Sequence, residues 1–365
     1  MTATKNHLAS RRGPTPEAPH FARRHKPVKI WATVGALFLI LEVVSFTGWF
    51  ATGKATPTSP GPTPIPSWMQ VGLRTWETGG MLAVAVIVYL FLIHPWRREG
   101  RISNDGLLLL AIATLYWQDP IINFFQWNCT FNAGFVNFGS WSANIPGWLS
   151  PRGNLFAEPS LFAPQTYVYA LFGGAVLGNV FLRRVKSRWP DMGLAGMILS
   201  GLAMFVFIDL VAEVTWMRLG TYAYPGAIHW LTLFHGHYYQ FPVYESVLTG
   251  GAWGLMSLLR YFRNDRGETL AERGISEVRV SGRGRTGLRF LALVGILNPI
   301  WLIGNGGMAL MGLYADHWPK DITTRSYLTD GLCGPGTEYA CPGPGVPIPR
   351  PDSAHLDPAG GLRVP

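Results

Sequence analysis

The sequence predicts an all-α integral membrane protein of seven transmembrane helices, with the N-terminus inside and the C-terminus outside. Three observations carry this. Only 14% of the 365 residues are charged, while 48% are hydrophobic; an ordinary soluble domain carries about 25% charged residues. The apolar residues gather into seven runs, each close to the roughly 20 residues that an α-helix needs to cross the hydrocarbon of a bilayer. Lys and Arg crowd alternate connections between these runs, the pattern that retains a loop on the cytoplasmic side. Fifteen Trp, 20 Phe and 13 Tyr exclude a disordered chain, and 43 Gly and 28 Pro without a period exclude a collagen-like one.

The seven runs are Ile30–Phe50, Leu73–Ile93, Gly106–Phe125, Phe162–Leu182, Gly193–Met217, Phe241–Phe262 and Leu288–Leu313. Their many Gly and β-branched residues would weaken helices in water. In lipid the backbone must satisfy its own hydrogen bonds, and the helix does so, whereas a barrel would need shorter alternating segments. Residues 29–315 then form a membrane domain, preceded by a basic cytoplasmic tail over 1–28 and followed by a Pro/Gly-rich external tail over 316–365. Arg11, Arg12, Arg23, Arg24, Lys26 and Lys29 precede the first run; Arg97, Arg98 and Arg101 follow the second; Arg183, Arg184, Lys186 and Arg188 follow the fourth. The sixth connection carries Arg260, Arg263, Arg266, Arg273, Arg279, Arg283, Arg285 and Arg289, and the intervening connections have little beyond Lys54, Arg152 and Arg218. These clusters read as topology determinants of a multi-pass protein of the cell membrane, helped by anionic lipid. No base-reading or stacking groups accompany them, so no nucleic-acid partner is expected. The leader up to His20 lacks the apolar core of a signal peptide.

The connections differ in kind. Ala55–Pro66 is a Pro/Thr-rich extended spacer. Residues 126–161 are long and aromatic, with Trp127, Phe131, Phe135, Phe138, Trp141 and Trp148; they form either a folded external cap or a belt anchored among headgroups. All three cysteines, Cys129, Cys333 and Cys341, fall on the expected outer side. Cys333 and Cys341 are in a flexible CGPGTEYAC stretch, where they are either bridged or free. Otherwise the tail beyond Trp318 is expected to be largely disordered. His235 and His237 have no third ligand nearby, which is weak evidence for zinc, and no metal is expected.

The chemical signal is buried charge. A carboxyl within a span costs at least about 2.5 kcal/mol on insertion scales and normally faces a partner or a cavity. Glu42, Asp119, Asp209, Glu213 and Glu245 lie within the runs, with Glu77 near the outer start of the second; a rise of about 1.5 Å per residue puts them all in the outer half. Asp209 and Glu213 are four apart and share a helical face, where two carboxylates cannot both ionise cheaply, so one is expected to hold a proton. Asn123, Gln126, Asn298 and Asn305 lie at the same level, with helix breaks expected at Pro120 and Pro299. Only Arg218 sits near that depth as a basic residue, which makes protonation the cheaper escape. A neutral acid, a carboxylate and aromatic walls suit proton-transfer chemistry on an apolar molecule. Asp209 is the candidate general acid sharing its proton with Glu213, and Asp119 or Glu245 the candidate base. Nucleophilic-serine, phosphate-loop and dinucleotide signatures are missing.

From Trp117 to Trp148 the chain resembles the AveC-type spirocyclases, membrane proteins linked to spiroketal formation in avermectin-like polyketides. The elements that look similar are Trp117 and Pro120 as W-x-x-P, Asn123, the paired Asn132 and Asn137, Ser140–Trp148 as SW-x-x-x-I-P-G-W, and a later PVYE from Pro242 to Glu245. The resemblance spans Ile30–Leu313 and leaves out the tails. It implies a cofactor-independent cyclisation in which a dihydroxyketone closes to a bicyclic ketal, sometimes with dehydration, an isomerase- or lyase-type reaction. Asn123, Asn132, Asn137 and Asn305 are candidates to orient substrate oxygens, and Trp117, Trp141 and Trp216 to wall the cavity. The same inventory would serve an isoprenoid carbocation cyclase or isomerase. A proton-coupled carrier or lipid-binding protein is the competing reading from another class. The expected partners are a lipophilic small molecule and membrane lipid, and the oligomeric state is open.

Overall fold

The computed structural model describes residues 26–348, 355–357, 359 and 361–363; most of the basic tail expected over 1–28, including Arg11, Arg12, Arg23 and Arg24, lies outside the described residues. The chain is mostly helical. Helix α1 is Pro27–Ala51, α2 is Ser67–Glu99, α4 is Ala163–Arg188, α5 is Leu194–Arg218 and α7 is Gly282–Gly312; these five are long and apolar enough to cross a membrane. The third and sixth predicted runs are helical but irregular. Helix α3 runs over Asn104–Ala113 and tightens into a 3₁₀ turn at Thr114–Asn123. Helix α6 starts at Val243–Glu245, widens over Ser246–Gly250 and continues through Gly251–Tyr261.

The irregularities have local causes. Pro120 has no N–H and its ring crowds the carbonyl four residues back, so α3 leaves α geometry there. Pro299 does not break α7, contrary to expectation: the helix is continuous through it. Next to Pro299, Asn298 Nδ2 donates to the Val294 carbonyl at 3.0 Å. Wide π-type turns interrupt α2 at Tyr89–Ile93, α4 at Tyr167–Phe172 and α6 at Ser246–Gly250. Each shifts the phase of the residues that follow.

Helices α1 and α7 cross at their backbones. A Cβ on Gly35 would overlap the Leu291 carbonyl, and one on Gly295 would overlap that of Trp31. Small residues permit such an approach between helices. The apolar core beside this crossing includes Leu108, Ile112, Phe172, Phe205, Met256 and Leu297. By contrast, Leu37, Val43, Leu82, Val86, Leu199, Phe207 and Ile303 are exposed on the outer faces of their helices. So much apolar surface turned outward suits lipid rather than water.

At one end of the bundle, basic side chains do more than mark a side. Arg260 and Arg263 both bind Asp105, at 2.7 and 3.1 Å. Arg260 also donates to Asn179 at 2.7 Å, and Arg289 pairs with Glu272 at 2.6 Å. These contacts join α3, α4 and α6 at that end, and Arg289 Nη2 adds α7 by donating to Asn104 Oδ1 at 2.7 Å.

At the other end, three connections and the tail form a folded cap. The Ala55–Pro66 spacer is tied down: Thr58 N donates to Asn137 Oδ1 at 2.8 Å and Thr63 N to Ser326 Oγ at 2.8 Å. Short antiparallel strands pair β1 (Thr130–Phe131) with β2 (Tyr222–Ala223), and β3 (Thr232–Leu233) with β4 (Phe241–Pro242). The tail is not largely disordered through its described residues, which departs from the composition-based expectation. Cys333 and Cys341 are bridged across a Cα separation of 4.9 Å. Trp318, Ile322, Tyr327 and Leu328 pack against Trp127 and Phe156 of the aromatic loop. Arg152 lies over the rings of Tyr339 and Trp127, at 3.6 and 4.9 Å from their centres. The Pro/Gly-rich composition hid these tail anchors because they are few and widely spaced.

Candidate functional site

Beneath the cap, α3, α4, α5, α6 and α7 enclose a cavity of about 120 Å³, room for on the order of ten waters. Asp119, Asp209, Glu213 and Glu245 all line it, with Asn305, Trp216 and, unanticipated from sequence, Tyr167, Tyr222, Tyr224, Trp253 and Trp301. Four acids predicted from three separate runs therefore meet in one hollow. Glu42 and Glu77 do not line it. Glu77 has a cation partner that the depth argument overlooked: Arg74, one turn earlier, pairs with it at 2.5 Å, and Glu77 Oε1 accepts from Val136 N at 2.8 Å.

The acids are brought together by backbone shape. Asp209 and Glu213 lie one turn apart on α5, and Glu245 enters from the first turn of α6. Gly250 allows α6 to approach: a Cβ there would stand 2.8 Å from Asp209 Cβ. Carboxylate oxygens of Asp209, Glu213 and Glu245 then lie within 4.8 Å of one another. The side chains in contact are Asp209 and Glu245, rather than the Asp209–Glu213 pair that spacing suggested. Glu213 is bonded elsewhere, accepting from the Tyr224 hydroxyl at 3.1 Å and meeting Tyr222. Burial pushes both phenols in this connection well above their ordinary range, so they stay neutral O–H donors.

Asp209 and Glu245 are buried, and Asp209 Oδ2 and Glu245 Oε2 meet no donor. Among the described residues no Lys or Arg pairs with Asp119, Asp209, Glu213 or Glu245. Two touching carboxyls without a cation are satisfied by sharing a proton. The alternative is a metal. An all-oxygen set would suit Mg²⁺ or Ca²⁺ rather than zinc, but such ions take six or more oxygen ligands. The three carboxylates offer one oxygen each at this spacing, and such an ion would complete its shell with water.

Asp119 is aimed by the 3₁₀ turn. Gln118 donates to Asn298 Oδ1 at 2.7 Å, Trp117 to the same atom at 2.9 Å, and Asn305 to the Gln118 carbonyl at 3.0 Å. Asp119 Oδ1 accepts from the Tyr167 hydroxyl at 2.8 Å, and that hydroxyl accepts from Trp301 Nε1 at 3.0 Å. The wide turn of α4 begins at Tyr167. The Asp119 side chain also meets Glu158 of the aromatic loop. Burial and then the neighbouring Asp119 push the Glu158 carboxyl well above the usual carboxylate range. Glu158 escaped notice because it lies outside the apolar runs, although an acid flanked by Phe156, Ala157 and Pro159 is itself a burial signal.

The remaining predicted residues lie away from the cavity. Asn123 accepts from Asn128 N and Cys129 N at 2.7 and 2.8 Å and donates to the Cys129 carbonyl. Asn132 donates to the Gly220 carbonyl at 2.8 Å, and Asn137 clamps the spacer at Thr58. These amides satisfy buried backbone and build the cap. Trp117 and Trp141 pack on the far side of the α3 turn, with Trp141 Nε1 donating to the Trp117 carbonyl at 2.8 Å. Cys129 lines the cavity, and burial pushes its thiol up, away from nucleophile chemistry.

The hollow thus combines touching carboxyls, phenols and indole faces in a lining without cationic side chains. A family model described as "Spirocyclase AveC-like" matches residues 97–328, a stretch that includes α3 to α7 and most of the cap. Among curated proteins and among solved structures, none matches the chain.

Proposed function

The chain belongs to the AveC-like spirocyclase family, and on that footing we propose that it is a cofactor-independent cyclase, spirocyclase-like in chemistry, acting on a lipophilic polyketide- or terpenoid-like substrate. The observation that carries this reading is the contact between the Asp209 and Glu245 carboxyls in a cavity free of cations. The protonated partner gives its proton to a hemiketal hydroxyl, the C–O bond breaks and water leaves. The oxocarbenium ion that remains faces the rings of Trp216, Trp301 and Tyr222, which favour positive charge. A second substrate hydroxyl attacks the cationic carbon, and its proton passes to a carboxylate, that of Glu245 or Asp119. Glu213, bonded by the Tyr224 hydroxyl, lies beside the reacting pair, and Asn305 orients a substrate oxygen. The cavity volume suits the reacting end of a larger molecule. Companion dehydration would use the same proton transfers.

We further propose that all seven helical segments span the cell membrane, with the acids in its outer half, the cap outside and the Asp105 network inside. The outward apolar faces support this placement, as does the alternation of basic connections.

The test is metabolite comparison of a deletion strain complemented with the wild-type chain, Asp209→Asn or Glu245→Gln. Both variants should accumulate an uncyclised precursor and lose product by about 100-fold or more, the usual worth of a positioned acid or base. If both restore the full product pattern, the assignment fails; altered uptake or proton flux with an unchanged pattern would favour a carrier.

A further inference from the structure

A second cavity, of about 490 Å³, lies beside the outer end of α1. Phe46, Trp49, Tyr116 and Trp141 wall it, and Phe50 and Phe138, both exposed, stand at its rim. Glu158 lines this vestibule and not the inner cavity, while Asp119 lines the inner cavity and not the vestibule. Their side chains touch. Asp119 Oδ2 and Glu158 Oε2 meet no other donor, so a proton between the two carboxyls satisfies both. The Tyr167 hydroxyl, fixed by Trp301, occupies the other Asp119 oxygen. The groups facing Glu158 are Asp119, Ser140, Asp330, Tyr116, Tyr167 and Cys129. None is a cation that would pin the pair in its ionised form.

We propose that Asp119 and Glu158 form a proton port, passing protons between the acid cavity and the outer vestibule. Asp119 takes a proton from the cavity side as Glu158 releases one to vestibule water, and the reverse step reloads it; no bond other than O–H is made or broken. The port rests on the cyclase reading and deepens it, giving the inner acids a route by which to exchange protons with the vestibule. Glu158 acts through Asp119 and never meets substrate.

The experiment is infrared spectroscopy of the purified full chain in lipid nanodiscs, following the protonated-carboxyl C=O band after transfer from H₂O to D₂O. Asp209→Asn identifies the part of the band that belongs to the inner cluster. In the wild type this part should shift quickly. In Glu158→Gln it should keep its intensity but shift about tenfold more slowly or worse, as expected when one proton-transfer step is removed, with thermal stability measured alongside. Phe138→Cys supplies a version independent of folding. Cys129 is buried and the other two cysteines are bridged, so a bulky thiol reagent added to the folded protein attaches at the rim and should slow the shift likewise. Exchange at the wild-type rate in Glu158→Gln, or in labelled Phe138→Cys, overturns the port and leaves the cyclase reading standing. Absence of the Asp209-dependent band overturns the shared proton itself, and with it the cyclase reading.

Discussion

Asp330 occupies the left-handed region of backbone space, with φ at 51°, which Asp and Asn tolerate better than other side chains. It is fully buried; Oδ2 accepts from Ala157 N at 3.1 Å, and Oδ1 meets no donor. Burial pushes this carboxyl well above its ordinary range. A carboxyl bound more tightly to its proton when folded contributes stability fully below the ordinary carboxylate pKa, and loses it as pH rises from there through the folded value. The cap should therefore open more readily at neutral than at mildly acidic pH. Asp330→Asn keeps the backbone conformation and the acceptor to Ala157 while removing the charge. It should stabilise the protein at pH 7 by on the order of 1 kcal/mol or more, with no gain over wild type near pH 4; thermal unfolding in detergent at the two values measures this. At this scale the sequence is informative about which acids are buried, because a carboxyl within an apolar run stands out. It says little about partners. Asp209 touches Glu245 because of how α5 and α6 are rotated and how closely Gly250 lets them meet, and neither follows from spacing along one helix. The cap-building amides Asn123, Asn132 and Asn137 look the same in sequence as substrate-binding ones.

Among the helices, the crossing of α1 on α7 carries the sharpest steric demand. At Gly35 and Gly295 any added carbon meets backbone rather than a movable side chain, so the helices must separate. Gly295→Leu should cost about 3 kcal/mol or more, above the usual penalty for overpacking a core, and should lower the melting temperature in detergent with the protein still helical by circular dichroism. Gly287→Leu, on the same helix where a Cβ meets nothing within 4 Å, is the control. Hydropathy is a good guide to element existence here because the pattern is a run of about 20 residues. It says nothing of the wide turns at Tyr167–Phe172 and Ser246–Gly250, which arise from packing and have no characteristic residue. Prolines mark candidate breaks, but Pro120 distorts its helix and Pro299 does not; the difference lies in the neighbours.

For the molecule as a whole, the proposed orientation sets the cap and the Asp105 network on opposite sides of the membrane. Ser59 in the spacer and Ser187 in the last turn of α4 are both exposed. In intact cells a membrane-impermeant thiol reagent should label Ser59→Cys, and Ser187→Cys should react only after lysis; the opposite pattern would invert the topology. The mostly helical build with long apolar helices is readable from composition and run length, whereas the folding of the tail is not, because it depends on one disulfide and a few apolar anchors spread over the segment.

The roof over the cavity is woven from distant parts of the chain. Ser326, beyond α7, donates through its hydroxyl to the Pro60 carbonyl at 2.7 Å, and Thr130 Oγ1 donates to the Leu328 carbonyl at 2.7 Å. A ribosome delivers the spacer first and this tail only after the final helix. Until then the hollow lacks this part of its roof, and the last-made strap, stapled by its own disulfide, completes the cover.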